Sequence, residues 1–266
     1  MIRLTSTQKE NIAKLIKKGN SLNKISKFLN LSKTTVYYHF RKIKGKTIKL
    51  PIINFPSEKV KGEVVGIFAG DGSLCFVPND YAYVVRIHSS ICNFDYLFYV
   101  KKLFERCFGT KFRICEYKTK RFLEKRSKLI YHFFFKFLDF NPRNKSNTIK
   151  LKKNLSDEFK LGFLIGLFDT DGTITKDKEG GLRMVYFTSS KSLANQLKKT
   201  IKEFGFECNI TKSKDECNQI FLYRNSIRKF AKFINSYKVN KRLKLWAGRS
   251  MEDRFLGNSN QSGNLV

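Results

Sequence analysis

The sequence has few acidic residues. Only 22 of its 266 residues are Asp or Glu, against 53 Lys and Arg, which gives a formal net charge of +31 at pH 7. Such a surplus of positive charge suits a polyanionic partner, and nucleic acid is the usual one. The basic residues alternate with 26 Phe and 11 Tyr, whereas a disordered basic tail would be poor in aromatic residues. We therefore expect a folded protein that binds nucleic acid.

The sequence also lacks a zinc-binding pattern and a membrane segment. No two of its six cysteines form a C-x2-C pair, and its three histidines do not cluster. The chain has no run of about 20 apolar residues, so no transmembrane helix and no membrane partner are predicted. Its first residues predict a helix rather than a signal peptide. We expect an intracellular protein with reduced cysteines, located in the cytoplasm, the nucleoid or an organelle.

Residues 1–45 predict a small all-α domain of three short helices. Gly19 is a suitable end for the first helix, and Ser21 and Ser32 can cap the second and third. Short helices with tight turns are typical of a helix-turn-helix module, whose third helix enters the DNA major groove. A protein-interaction domain is the alternative, but the basic third helix favours DNA. The expected DNA contacts are Lys33, Thr34, Thr35, Tyr38 and His39.

The rest of the chain contains an internal repeat. VKGEVVGIFAGDG (60–72) recurs as KLGFLIGLFDTDG (160–172), and the offset of 100 residues continues to Ser89 and Ser189. The segment before the repeat contains two prolines and predicts an extended linker. The expected domains are the linker at 46–56, repeat 1 at 57–150, repeat 2 at 151–246 and a flexible tail at 247–266.

Each repeat predicts the element order αββαββ, so the fold class is α+β. A helix ends at the Asp-Gly pair and is followed by two strands, a second helix and two more strands. The fourth strand of repeat 1 is predicted at 129–137, and the aromatic run at 131–140 is expected to be buried sheet. A closing helix is predicted only in repeat 2, near 226–234.

The glycines of the two motifs predict that the two motif helices pack together. Each helix has two glycines four residues apart on one face, which allows another helix backbone to approach closely. These glycines are Gly62, Gly66, Gly162 and Gly166. Asp71 and Asp171 would then lie side by side near a pseudo-two-fold axis. A single motif of this kind would predict only a helix C-cap, whereas two copies with paired acids favour a functional site.

The segments VVGIFAGDG (64–72) and LIGLFDTDG (164–172) closely resemble the LAGLIDADG motif of homing endonucleases. Two motifs in one chain resemble the single-chain members, and the resemblance extends from about residue 57 to residue 246. It implies two pseudo-symmetric repeats that form a saddle of antiparallel sheets over double-stranded DNA. It also implies a monomeric, site-specific endonuclease that makes a staggered double-strand cut. The sixth motif position is Ala69 in one copy and Asp169 in the other; it is not a metal ligand in the family pattern.

The resemblance implies a divalent-metal site. The last acid of each motif binds the metal in the family, which corresponds to Asp71 and Asp171, with the backbones of Gly70 and Thr170 as further ligands. Mg²⁺ is the expected ion, with Mn²⁺ as a substitute, because one or two carboxylates and substrate phosphates suffice for Mg²⁺. The minor groove is only about 6 Å wide, so adjacent acids can reach both strands across it.

Further site residues are implied by position. Family members place a basic residue near each scissile phosphate, and Lys145 and Lys241, each preceded by Asn, occupy the resembling positions. Ser89 and Ser189, at the end of the second strand of each repeat, resemble a polar residue that organises water.

Basic side chains on or beside the predicted strands are candidates for sequence recognition. A two-stranded β-ribbon fits the major groove, whereas the alternative is a solvated sheet face. The candidates are Arg86, Arg113, Lys118, Lys136, Arg183, Lys212 and Arg224.

Two alternative functions remain open: a non-catalytic DNA-binding transcription regulator of the same fold, and a maturase that binds intron RNA.

Overall fold

The computed structural model describes residues 4–45, 50–90, 93–117, 120–176, 181–213 and 217–242. The chain divides into two compact units between Leu50 and Pro51. Within the described ranges, none of the helices is both long and apolar enough to cross a membrane. The predicted tail at 247–266 and the candidate Lys118 lie outside the described residues.

Residues 4–45, the described part of the first unit apart from Leu50, form three helices, as predicted. They are α1 (Ser6–Lys17), α2 (Leu22–Phe28) and α3 (Lys33–Lys44). The hydroxyls of Ser21 and Ser32 accept hydrogen bonds from the backbone N–H groups of Lys24 and Thr35, so both serines cap their helices. Four buried side chains form a hydrophobic core of this unit alone, Ile12, Ile16, Ile25 and Val36.

The first half of the second unit is a four-stranded antiparallel sheet with its helices. Its elements are α4 (Glu58–Asp71), β1 (Gly72–Val77), β2 (Ala82–Ser90), α5 (Phe94–Phe108), β3 (Arg113–Tyr117), β4 (Lys120–Arg126) and α6 (Lys128–Phe134). The strand order is β1-β2-β4-β3. A connecting segment follows, with β5 (Leu138–Asp139), α7 (Lys145–Thr148) and β6 (Lys150–Leu151), in which β5 pairs with β6.

The second half repeats this topology. Its elements are α8 (Asp157–Asp171), β7 (Gly172–Lys176), β8 (Leu182–Thr188), α9 (Lys191–Glu203), β9 (Cys208–Lys212), β10 (Asn218–Leu222) and α10 (Arg224–Ile234). Residues 237–242 are also helical. The strand order β7-β8-β10-β9 matches that of the first half, which confirms that the two halves share one layout.

The closing elements differ from the prediction in the first half, whereas the predicted closing helix of the second half is present as α10. Residues 129–137 do not form a strand: α6 occupies most of this segment, and the fourth strand, β4, precedes it. Ser127 caps α6 by accepting a hydrogen bond from the Ile130 N–H, and the Phe134 ring stacks on Phe68 with centroids 3.7 Å apart. The aromatic content of the run favours a strand, although the exposed residues Lys128, His132 and Lys136 are four residues apart, which is the spacing of one helix face. A closing helix is therefore present in both halves.

The two motif helices pack backbone against backbone, as their glycines predict. A Cβ atom added at Gly62 would overlap the carbonyl oxygen of Phe159, and one added at Gly166 would overlap that of Glu63. Both helices are buried on almost all sides, as expected of helices that are apolar all round. Because of this packing, α4 and α8 run side by side through the core and end at the same place.

Candidate active site

Asp71 and Asp171 adjoin each other at the ends of the paired helices. They are the last residues of α4 and α8. A Cβ atom added at Gly70 would lie 3.0 Å from Oδ2 of Asp171. Each helix continues directly into a strand through Gly72 or Gly172, neither of which has the positive φ of a left-handed helix cap. The helix pair therefore brings together the two acids that the sequence predicts to lie side by side.

The surroundings of the two carboxylates favour their protonated forms. Burial and, to a smaller extent, the negative charge of Asp171 raise the pKa of Asp71 to about 7, against the opposing charges of Lys145 and Lys238. Burial also raises the pKa of Asp171, against the same two lysines. Two partly buried carboxylates that repel each other gain stability when a cation binds between them.

Lys145 lies at the end of α4. Its Nζ donates hydrogen bonds to the carbonyl oxygens of Phe68, Ala69 and Gly70 at 3.0, 2.6 and 2.7 Å. Burial lowers the pKa of Lys145 to about 8, and the two carboxylates oppose that shift. A cation is well placed at a helix C-terminus, where the carbonyl groups carry partial negative charge.

Lys238 is the counterpart of Lys145 in the second half. Its Nζ donates to the carbonyl oxygens of Thr170 and Gly172 at 3.1 and 2.6 Å. Burial lowers the pKa of Lys238, and the carboxylates of Asp169, Asp71 and Asp171 oppose the shift. The sequence did not identify this residue.

Lys241, the predicted counterpart, is placed elsewhere. It is half-exposed, and its Nζ lies 3.8 Å from the carboxylate of Asp95. Its prediction depended on aligning the Asn-Lys dipeptide at 144–145 with that at 240–241. The first dipeptide marks the start of α7, whereas the second lies within the helical residues 237–242, so the two dipeptides occupy different structural positions.

Asp169, where the first motif has Ala69, holds the segment that carries Lys238. Its carboxylate is buried and accepts hydrogen bonds from the backbone N–H groups of Tyr237 and Lys238 at 3.1 and 2.8 Å. Burial raises the pKa of Asp169, and these hydrogen bonds oppose the shift. The difference between Ala69 and Asp169 is the one signal in the sequence that the second half positions its lysine through a contact that the first half lacks.

The donor set fits a divalent cation that shares its coordination with substrate. Within the described residues, no group of three or more His, Cys, Asp or Glu side chains could hold a metal ion. Two carboxylates nevertheless suit Mg²⁺, which retains waters and takes phosphate oxygens as ligands. The carbonyl oxygens of Gly70 and Thr170, predicted as further ligands, each accept a hydrogen bond from a lysine.

A cavity of about 470 Å³ lies beside Asp71. Polar side chains dominate its lining, which includes Asp71, His88, Ser89, Lys120, Thr170 and Lys238. Ser89 therefore lies in the cavity, as a water-organising role requires. Ser189 is exposed and follows the end of β8, outside this lining.

The strand register explains why Ser89 and Ser189 are not equivalent. Gly72 pairs with Ile87, whereas Gly172 pairs with Tyr186, so the second half is one residue shorter between these partners. The constant offset of the sequence repeat therefore ends before the second strand. Thr188 is the structural counterpart of Ser89.

The predicted recognition residues of the first half have different settings. Arg86 and Arg113 both pair in register with Glu124 and lie on one face of the sheet. Arg86 Nε is 2.8 Å from the Glu124 carboxylate, so its charge is partly compensated. Lys136 is exposed in the turn after α6 and is not on a strand.

The candidates of the second half do not share one face. Arg183 pairs with Thr175, and Lys212 pairs with Asn218, which places the two basic residues on opposite faces of the sheet. Arg224 begins α10 instead of ending a strand. It lines a shallow cavity together with Arg183.

The predicted DNA contacts of the first unit lie along α3. Lys33 and Thr34 are exposed, and Thr35 hydrogen-bonds the Ser32 hydroxyl at 2.7 Å. Tyr38 is 58% exposed, and Lys42 Nζ lies 4.8 Å from its ring centroid.

His39 is partly buried on the same helix. Burial lowers the pKa of His39, and the charges of Lys42 and Lys9 lower it further.

Comparison with known proteins shows similarity to one domain family and to solved structures. Residues 158–235 match a family described as "LAGLIDADG-like domain". No curated protein sequence matches the chain. Three solved structures of the homing endonuclease I-DmoI share the fold.

The crystal structure of I-DmoI in complex with DNA and Ca is 16% identical and has a TM-score of 0.52; the match covers 68% of this chain and 92% of that one. A complex with nicked target DNA and Mn is 16% identical with a TM-score of 0.51, covering 68% and 97%. A structure of mesophilic I-DmoI variants is 15% identical with a TM-score of 0.50, covering 66% and 95%. Residues 158–235 are therefore similar to a LAGLIDADG-like domain, and about two thirds of the chain shares its fold with the homing endonuclease I-DmoI.

Proposed function

We propose that this protein is a site-specific DNA endonuclease that uses a divalent metal to make a staggered double-strand cut across the minor groove. One observation carries the proposal. Two adjoining carboxylates, Asp71 and Asp171, end the paired helices, and a partly buried lysine lies beside each helix end. Adjacent carboxylates repel each other and a polyanion, and a cation bound between them would offset both effects.

The chemistry of phosphodiester hydrolysis suits these groups. A bound Mg²⁺, for which Mn²⁺ would substitute, offsets negative charge on the phosphate and activates water. Asp71 and Asp171 would hold the cation. Lys145 and Lys238 are fixed by the helix carbonyl groups, so each can stabilise charge that develops on a phosphate without reorganising.

The charge of the chain supports DNA as the substrate. The net charge of +31 suits a partner with a phosphate backbone. We assign the recognition of bases to the two sheets and an additional DNA contact to α3 of the first unit, as in a helix-turn-helix module. Because one chain carries both carboxylates, a monomer would suffice, and the proposed setting is intracellular.

The decisive experiment is cleavage of a randomised DNA library, with Mg²⁺ and with a chelator, followed by sequencing of the new ends. We expect Mg²⁺-dependent ends at one sequence with a fixed stagger. Asp71→Asn and Asp171→Asn should bind the selected sequence but not cut it, whereas Asp139→Asn, which changes a surface carboxylate, should cut normally. Unselective binding with no new ends would contradict the proposal.

A further inference from the structure

The two halves present different side chains to the candidate active site. In the first half, the Ser73 hydroxyl and His88 Nε2 are 2.9 Å apart and form a hydrogen bond between β1 and β2. By the register of each sheet, the corresponding residues of the second half are Thr173 and Phe187. The imidazole at one position is thus replaced by an apolar ring at the other.

His88 shares a cavity with the proposed metal ligand of its own half. Both His88 and Asp71 line the cavity of about 470 Å³. Among the described residues, Ser73 is the only hydrogen-bond partner of the imidazole. One ring nitrogen is therefore held by the sheet, and the other has no hydrogen-bond partner within the described structure.

The electrostatic surroundings favour the neutral form of this imidazole. Burial lowers the pKa of His88, and three nearby positive charges lower it further, those of Arg86, Lys120 and Lys145. A neutral imidazole has one nitrogen that donates a hydrogen bond and one that accepts. The free nitrogen can therefore bind a water molecule, as a donor or as an acceptor according to the tautomer, whereas the ring of Phe187 cannot form such a hydrogen bond.

We propose that His88 is a strand-specific catalytic residue: it hydrogen-bonds the attacking water at only one of the two scissile phosphates, so that the two DNA strands are cut at unequal rates. The inference rests on the proposed endonuclease function. The competing explanation is that the Ser73–His88 hydrogen bond only joins two strands, in which case its loss would affect both cuts equally through stability.

The test uses the full-length protein and its selected duplex, with a different 5′ dye on each strand, so that the two rates are measured separately under single-turnover conditions. The variants are His88→Phe, which copies the second half, and His88→Gln, which keeps a donor and an acceptor. We expect His88→Phe to slow one strand by at least about tenfold, as for loss of a catalytic hydrogen bond, so that nicked duplex accumulates. His88→Gln should restore most of that rate.

The opposite result is equally clear. Wild-type rates on both strands with His88→Phe, or an equal loss on both, would overturn the strand-specific role. Phe187→His is the matched reciprocal variant, and it should bring the two rates closer together; an unchanged ratio would also count against the inference. Wild-type protein that cuts neither strand with Mg²⁺ would instead reject the endonuclease function, and this inference with it.

Discussion

Lys145 and Lys238 occupy equivalent positions although they do not align in the sequence repeat. Each ammonium group binds carbonyl oxygens at the C-terminal end of a motif helix. The chain reaches these two positions by different routes, through α7 in the first half and through a segment held by Asp169 in the second. The pseudo-symmetry of the two lysines is therefore one of charge and position, whereas that of Asp71 and Asp171 is also present in the sequence.

The first prediction distinguishes Lys238 from Lys241. Lys238→Met should lower the rate of cutting about 100-fold or more, as for removal of a preorganised positive charge, whereas Lys241→Met should have little effect on the rate. Lys145→Met should resemble Lys238→Met. Single-turnover cleavage at saturating enzyme measures these rates, and thermal unfolding verifies that each variant is folded. A larger loss with Lys241→Met would reverse the assignment.

The second prediction concerns the contact between the motif helices. Gly166→Ala should destabilise the fold by at least about 3 kcal/mol, because the added methyl group overlaps the backbone of Glu63 in a packed core. Gly205→Ala is the control: its φ is +80° and no atom lies near the added group, so it should cost only about 1–2 kcal/mol of backbone strain. Urea unfolding of the two variants provides the comparison, and equal losses would argue against close helix packing.

The helix pair could be predicted from the sequence, whereas the second lysine could not. The glycines of the motifs lie where a side chain would collide with neighbouring atoms, in most cases those of the partner helix. The duplicated glycine pattern therefore indicates directly that the two helices pack together. The position of Lys238 depends on where the chain returns after α10, and tertiary contacts decide this. The helix α6 was missed for another reason: its aromatic residues favour a strand and outweighed the polar residues Lys128, His132 and Lys136, which recur at helical spacing.

The third prediction concerns pH. Burial raises the pKa of Asp71 to about 7, above its value of about 4 in an unfolded chain. The folded state therefore binds this proton more tightly, and the associated stability is fully present below about pH 4 and lost as the pH rises through about 7. In chelator, Asp71→Asn should stabilise the protein at pH 8, by at most about 4 kcal/mol, and should have no such effect at pH 4.

Thermal unfolding at the two pH values tests this dependence. The control is Asp139→Asn, which changes an exposed carboxylate 3.1 Å from Lys150. Added Mg²⁺ should stabilise the wild-type protein at pH 8 more than Asp71→Asn, because the cation binds the ionised form. If Asp71→Asn and the wild-type protein had the same stability at every pH, the Asp71 carboxylate would be well solvated and its pKa would not be raised.

The fourth prediction concerns the three-helix unit. Its core of Ile12, Ile16, Ile25 and Val36 belongs to it alone, so a protein without residues 1–50 should keep the unfolding temperature of the remaining unit. Its DNA affinity should fall, and the logarithm of affinity should depend less steeply on the logarithm of salt concentration, because fewer phosphates are neutralised. Cleavage at saturating enzyme should persist, since both aspartates and both lysines remain. Titration of labelled target DNA at several salt concentrations measures the slope, and an unchanged slope with unchanged affinity would mean that α3 does not contact DNA.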